Sequence, residues 1–385
     1  MSYDVSNDAF DRIEQAAREG GARSALDLLV TIAQRDKNYP LLFEARLMQA
    51  RQKSGLPLIF NDSLDDLPPD KRAPYEGAMK DAARETGSLF LADGDILRAW
   101  PYFRAIGDFE PVAAAIEKIE AHDQLDGIIE LAFGQGIHPR KGFELILKHH
   151  GICRAITFFH QYPDPKTRDQ CALILLRSLH SELAENLKRA ILEQECEQPS
   201  CSNVSELIRG RDWLFGDLNY YVDTAHLTAI IPLALDFADP EALELAIELC
   251  DYGAHLSSQF HFASDPPFDD FYNDHAIFLK ALAGRDSDGA IAHFRDKIIA
   301  SPAGAGTTPA QVLVLLLTRL KRYRDAIDVS LDCLAGENQN QLGCPTLPQL
   351  CQFAGDYDSL GEIAKRRGDM LNFAAAAIGK TTASL

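Results

Sequence analysis

Apolar residues recur at spacings of three and four along nearly the whole chain. The stripe is visible in Leu26, Leu29 and Ile32, in Leu42, Phe43, Leu47 and Ala50, and in Val112, Ala115, Ile116 and Ile119. It continues through Leu176, Leu179, Leu183, Leu187 and Ile191, through Leu243, Ala246 and Leu249, and through Val312, Leu316 and Leu320. Such a period places one face of an α-helix against a core. No run of alternating β-branched residues persists beyond a few positions, so a sheet is not expected. Helix starts carry their usual punctuation in Asn203-Val204-Ser205-Glu206, Asp239-Pro240 and Thr307-Thr308-Pro309, and Gly134, Gly151, Gly253, Gly284 and Gly336 are read as stops. The pattern predicts helices of about 10 to 16 residues joined by short connectors.

Three stretches are near-copies of one another: Gly107-Asp108-Phe109-Glu110-Pro111-Val112, Lys321-Arg322-Tyr323-Arg324-Asp325-Ala326 and Gly355-Asp356-Tyr357-Asp358-Ser359-Leu360. Each sets an aromatic after a polar turn and a small or apolar residue three positions later. Ala326 and Leu360 are 34 residues apart, a spacing typical of stacked two-helix repeats. With Ala290 and Phe294 in Asp288-Gly-Ala-Ile-Ala-His-Phe294, and Ala326 in the next unit, the chain from about residue 271 onward resembles the tetratricopeptide-like repeats. Ser330 stands where that family places an aromatic, and Val314 where it usually places glycine. The resemblance implies an all-α fold, an α-solenoid of antiparallel helix pairs, here with two aromatic loop insertions. Along the whole chain, the helical pattern and its breaks are read as N-terminal helices over 1–70, a helical repeat region over 71–200, a region with insert loops over 201–280 and C-terminal repeats over 281–385, expected to form one continuous solenoid.

Two segments, 209–226 and 259–275, interrupt the helical pattern. They concentrate Trp213, Phe215, Tyr220, Tyr221, Phe260, Phe262, Phe268, Phe271 and Tyr272. That much aromatic area favours burial or a partner at roughly 25 cal/mol per Å2. Both loops are therefore expected to converge on one cavity, with Trp213, Tyr221, His226, His261 and Tyr272 as candidate ligand-binding residues. The same loops hold His226, Asp223, His261 and His275, which are a candidate set for a divalent metal or for acid–base work, with Asp223 orienting His226. The competing structural reading makes Asp223 a helix cap and His226 and His275 buried, hydrogen-bonded side chains. A polar stretch, Asn61 to Asp70, reads as a surface loop, and Ala303-Gly-Ala-Gly-Thr307 as a flexible link without the lysine of a phosphate loop.

The 385 residues carry a formal charge of −19 and a pI near 5.0, and they contain no basic run. This disfavours nucleic acid and anionic membranes as partners. No zinc-helix, phosphate-loop or nucleophile-elbow motif occurs, so no cofactor is expected. The eight cysteines are scattered; Cys153, Cys171, Cys250, Cys333 and Cys351 fall in apolar helical patterns and are expected to be buried thiols. His180, within a long apolar helix, is expected to face inward. The acidic start lacks the basic-then-apolar order of a secretion signal, so the expected location is cytoplasmic. The sequence favours a scaffold for a neutral-to-basic protein or peptide. A metal- or His/Asp-dependent enzyme at the loops and a self-associating homo-oligomeric subunit remain as alternatives, and whether the chain is an enzyme is left open.

Overall fold

The computed structural model describes residues 7–59, 67–120, 123–161, 165–237, 239–301, 306–334, 336–338 and 341–382. The expected loop at 61–70 lies outside the described residues up to residue 66, as do residues 303–305 of the Gly/Ala link. The chain is all-α: it is 77% helical, and no strand occurs among the described residues, where only an isolated bridge joins Ala263 to Asp270. The helices pack in neighbouring pairs. They form two compact units, Met1–His150 and Gly151–Leu385.

The first unit comprises α1 (Asn7–Arg35), α2 (Tyr39–Lys53), α3 (Pro69–Ala92), α4 (Ile96–Ile106), α5 (Glu110–Glu117), α6 (Leu125–Ile129) and α7 (Pro139–His150), with a π-helical turn at Glu130–Gly134. Consecutive helices α1 to α5 pack on one another, and α6 packs on α7. Leu42, Ala99, Phe103, Val112, Ile116, Ile128 and Phe143 are fully buried between them. Gly21 (φ 70°, ψ −170°) divides α1 into two helical segments. Polar ties cross the helices at the rim: the Tyr39 hydroxyl donates to Asp93 at 2.7 Å, and Arg46 grips Glu85 at 2.8 Å.

The second unit comprises α8 (Ile152–Gln161), α9 (Pro165–Glu195), α10 (Val204–Ile208), α11 (Thr224–Ile230), α12 (Pro240–His255), α13 (Phe271–Leu282), α14 (Ser287–Ala300), α15 (Thr308–Arg319), α16 (Tyr323–Cys333), α17 (Leu347–Ala354), α18 (Tyr357–Arg367) and α19 (Met370–Thr382). From α12 to α19 each helix packs on its chain neighbour, and α9 supports α8, α10, α11 and α12. One apolar core runs from Phe278 in α13 to Ala376 in α19 and includes Ala290, Phe294, Leu313, Leu317, Ala326 and Leu350. Val314 and Ser330, the two departures from the repeat pattern, are buried as well. Helices α1, α3 and α9, at 29, 24 and 31 residues, exceed the expected lengths. In α9 the reason is direct: after Pro165 no glycine or proline interrupts the stripe Leu175, Leu176, Leu179, Leu183, Leu187 and Ile191, all fully buried.

The three near-copies are all turns between helices, and each begins in the left-handed region. Gly107 (φ 69°) closes α4, Gly355 (φ 65°) closes α17, and Lys321 (φ 59°) occupies the equivalent place after α15. In the third turn Asp356 accepts from the Ser359 amide at 3.0 Å and so caps α18. A β-carbon in left-handed backbone costs about 1–2 kcal/mol, offset in part by the greater chain entropy that glycine loses on folding. Lys321→Gly is therefore expected to stabilise the protein by about 0.5–1 kcal/mol, measured as a raised urea midpoint.

Two polar ties fix the middle of this unit. Glu248 of α12 accepts from His180 of α9 (2.7 Å), from the Asn203 side chain (2.5 Å) and from the Val204 amide at the start of α10 (2.7 Å), so His180 does face inward. The Arg319 guanidinium of α15 reaches back to a 3-10 turn at Ile231–Asp236, donating to the carbonyls of Leu235 at 3.0 Å and of Phe237. Gly253 is not a stop, since α12 continues to His255. It is instead a contact point, because an added β-carbon would lie 2.2 Å from Cε1 of the Tyr272 ring.

Candidate functional site

The site is built on α12 and on the two aromatic segments that flank it. In the first segment a 3-10 turn, Asp212–Leu218, buries Leu214 completely and packs Phe215 against Tyr252 (5.8 Å between centroids) and His255 (5.3 Å) of α12. The backbone of Tyr221 is pinned on both sides. Its amide donates to the Tyr252 hydroxyl at 2.8 Å, and its carbonyl accepts from the Asn186 side chain of α9 at 2.7 Å. Asp223 then caps α11 by accepting from the Ala225 amide at 2.9 Å. The segment is thus anchored by its backbone, and several aromatic rings remain free to face outward.

The second segment leaves α12 through a 3-10 turn at Ser258–Phe260 and enters α13 at Phe271. Phe268 stacks on His275 at 4.2 Å and also meets Phe278 and Phe294, which anchors this loop in the C-terminal core. Phe271 covers the other side of His275 at 4.3 Å. The His275 Nδ1 donates to the Phe271 carbonyl at 2.7 Å, and burial pushes its pKa down to about 4, so the ring is neutral near pH 7.

The two segments touch where Tyr220 meets the edge of Phe260, 5.3 Å between centroids. Around that contact Trp213 is 38%, Leu218 45%, Tyr220 56% and Phe262 43% exposed. An open cleft of about 400 Å3 lies beside it, lined by Ala254, His261, Phe262, Asp269, Asp270, Phe271, Tyr272 and Asn273. His261 and Tyr272 are therefore brought together, their rings 5.5 Å apart. Among the described residues the cleft walls come from the second segment and the helices it joins; Trp213, Tyr221 and His226 do not line it. The Tyr272 hydroxyl is buried without a hydrogen-bond partner among the described residues, and burial raises its pKa to about 12.

Beneath the cleft lies a charged cluster. Asp274, fully buried, accepts from His293 Nε2 (2.7 Å), Lys297 Nζ (2.8 Å) and the Asp270 amide (2.9 Å). Lys297 also donates to Asp269 at 2.7 Å, and this hydrogen bond holds the Asp269 carboxyl below its ordinary range. Asp270 caps α13 through the Asn273 amide. The carboxylates at the cleft are thus committed to ammonium, imidazole and backbone donors. Among the described residues no three His, Cys, Asp or Glu side chains gather as a metal-ligand set. Of the candidate metal residues, Asp223 caps α11, His261 faces Tyr272, and His275 is sandwiched between phenylalanines. The carboxylate of Asp223 spends its hydrogen bond on Ala225, and the His226 ring has a different neighbour, Cys153.

Of the five cysteines expected to be buried, Cys333 is only partly so, and the outright exception is Cys153. It is exposed rather than buried, at the second position of α8, with Sγ 3.0 Å from Nε2 of His226 in the first turn of α11. Gly151, in left-handed backbone (φ 81°), ends α7 and leads straight into α8, so Cys153 falls in a first helical turn, which was the available signal for its exposure. The partner histidine is 73 residues away in sequence, so no local spacing announces it. No family model, no curated protein and no solved structure matches the chain.

Because Tyr272 lies against Gly253, Gly253→Ala is expected to force the ring aside and destabilise the second unit by about 1–3 kcal/mol. The check is urea unfolding followed by the fluorescence of Trp213, in a Trp100→Phe background that leaves Trp213 as the single tryptophan.

Proposed function

We propose that the chain is a tetratricopeptide-like scaffold of antiparallel helix pairs that captures a neutral-to-basic peptide or protein segment on the aromatic surface of residues 213–262 and the adjoining cleft. The observation that carries this reading is the set of half-exposed aromatics, Trp213, Tyr220 and Phe262, on two segments of which the first is tied through the Tyr221 backbone and the second is anchored in the core by Phe268. Anchored aromatics lose little conformational entropy on binding and commonly supply most of the affinity of an interface. Asp265, Asp269 and Asp270 are exposed along the same edge, and together with the net charge of −19 they favour a partner without excess negative charge. The cleft carboxylates serve structure, which favours capture over the enzymatic alternative at these loops.

The test is selection from a random peptide display library on the purified full-length protein, with Trp213→Ala/Phe262→Ala as the counter-selection surface. Peptides of zero or positive net charge carrying apolar anchors should be enriched on the native protein. Each should lose at least tenfold in affinity for the double variant while its urea midpoint stays within the range of surface substitutions. Equal recovery on both proteins would remove the aromatic surface from consideration.

A further inference from the structure

Cys153 and His226 form a pair that the scaffold reading does not use. Cys153 is one of two exposed thiols among the described residues, the other being Cys196; Cys201 and Cys333 are partly buried, and Cys171, Cys250, Cys344 and Cys351 are buried. Cys153 has an imidazole nitrogen at contact distance, 3.0 Å. Its sulfur also lies in the first turn of the ten-residue α8, where unpaired amides favour a developing negative charge. The Asp223 carboxylate, three residues before His226, is occupied by the Ala225 amide. α11 packs on α8, which sets the His226 ring beside Cys153.

We propose that Cys153 is a nucleophilic thiol activated by His226 as general base, and that it exchanges with small disulfides to carry a reversible mixed disulfide. Nε2 takes the thiol proton as Sγ attacks one sulfur of the disulfide. The Cys153–sulfur bond forms while the incoming S–S bond breaks, and the departing thiolate takes the proton from the imidazolium. The products are the mixed disulfide on Cys153 and one free thiol, with the incoming disulfide as the oxidant. The modified side chain is placed at the foot of α11, the helix into which the first aromatic segment leads, so modification alters the surface next to that segment.

The full-length reduced protein is exposed to 2-hydroxyethyl disulfide, a neutral probe that the −19 charge does not repel, and adducts at each cysteine are timed by peptide mass mapping. Cys153 should be modified first, and His226→Gln should slow it about tenfold while leaving Cys196 unchanged. Faster labelling of Cys196 in the native protein, or an unchanged Cys153 rate in His226→Gln, overturns the proposal. If His226→Gln slows both thiols, free imidazole added to His226→Ala decides: recovery at Cys153 alone supports the pair, and no recovery rejects it.

Discussion

Asp274→Ala is expected to destabilise the second unit by about 3–5 kcal/mol, the range for removing one partner of a buried ion pair. The carboxylate is fully buried, and its three donors come from three places: the backbone at the start of α13, His293 and Lys297 of α14. Its loss leaves the Asp270 amide without an acceptor at the helix start. It also leaves His293 unpaired and Lys297 with Asp269 alone. Asp274→Asn keeps the shape but turns a donor toward Lys297 or His293, so its cost should approach that of alanine. The measurement is urea unfolding read from Trp213 in the Trp100→Phe background. A loss below about 1 kcal/mol would show that water replaces the carboxylate cheaply, in which case the cluster does not hold the cleft floor.

The second large effect depends on acid. His275 has a folded-state pKa of about 4 against an ordinary value of 6.5, because burial between Phe268 and Phe271 disfavours its charged form. Between pH 6.5 and 4 the unfolded chain binds the proton and the folded chain does not, so stability falls as the pH falls. The shift corresponds to about 3 kcal/mol, fully present above pH 6.5 and lost by the time the pH has passed below 4. His275→Gln should remove this contribution. Its urea midpoint is expected to depend much less on pH over that window, and to be lower at pH 7.5 because the ring contacts with Phe268 and Phe271 are lost. An identical pH profile in the two proteins would place the responsible group elsewhere.

What the sequence makes legible is whatever depends on neighbours within a helical turn or two. The three-and-four spacing in α9, the aspartates that cap α11 and α12, and the shared turn at Gly107, Lys321 and Gly355 all follow from local backbone chemistry. The joints in α15 and α16 are equally local, since a small residue such as Ala326 on an apolar stripe has few other uses. Gly253 shows where local reasoning stops. As an isolated residue it resembles a helix terminator, yet its role is set by Tyr272 arriving from the next helix. Cys153 lies on an amphipathic helix where the periodicity alone assigns it inward, and its pairing with His226 depends on where α11 lands. The candidate site divides in the same way. The aromatic content of both segments was readable, and so was the contact between them in outline. Which rings face solvent depends on Tyr252, Asn186 and the C-terminal core, none of which can be inferred from the loops themselves.

Arrays of helical pairs are commonly divisible, because each unit leans only on its neighbours and can be trimmed from an end. The reach of Arg319 sets a limit to that here. Its guanidinium satisfies the carbonyls of Leu235 and Phe237, which precede α12, from a helix that begins seventy residues later in the chain, at Thr308. A fragment ending after α14 would keep every residue of the aromatic surface but leave that turn without its donor and expose the Leu235 face of the core. A fragment meant to carry the aromatic surface is therefore expected to need α15 as well as the residues that form the surface.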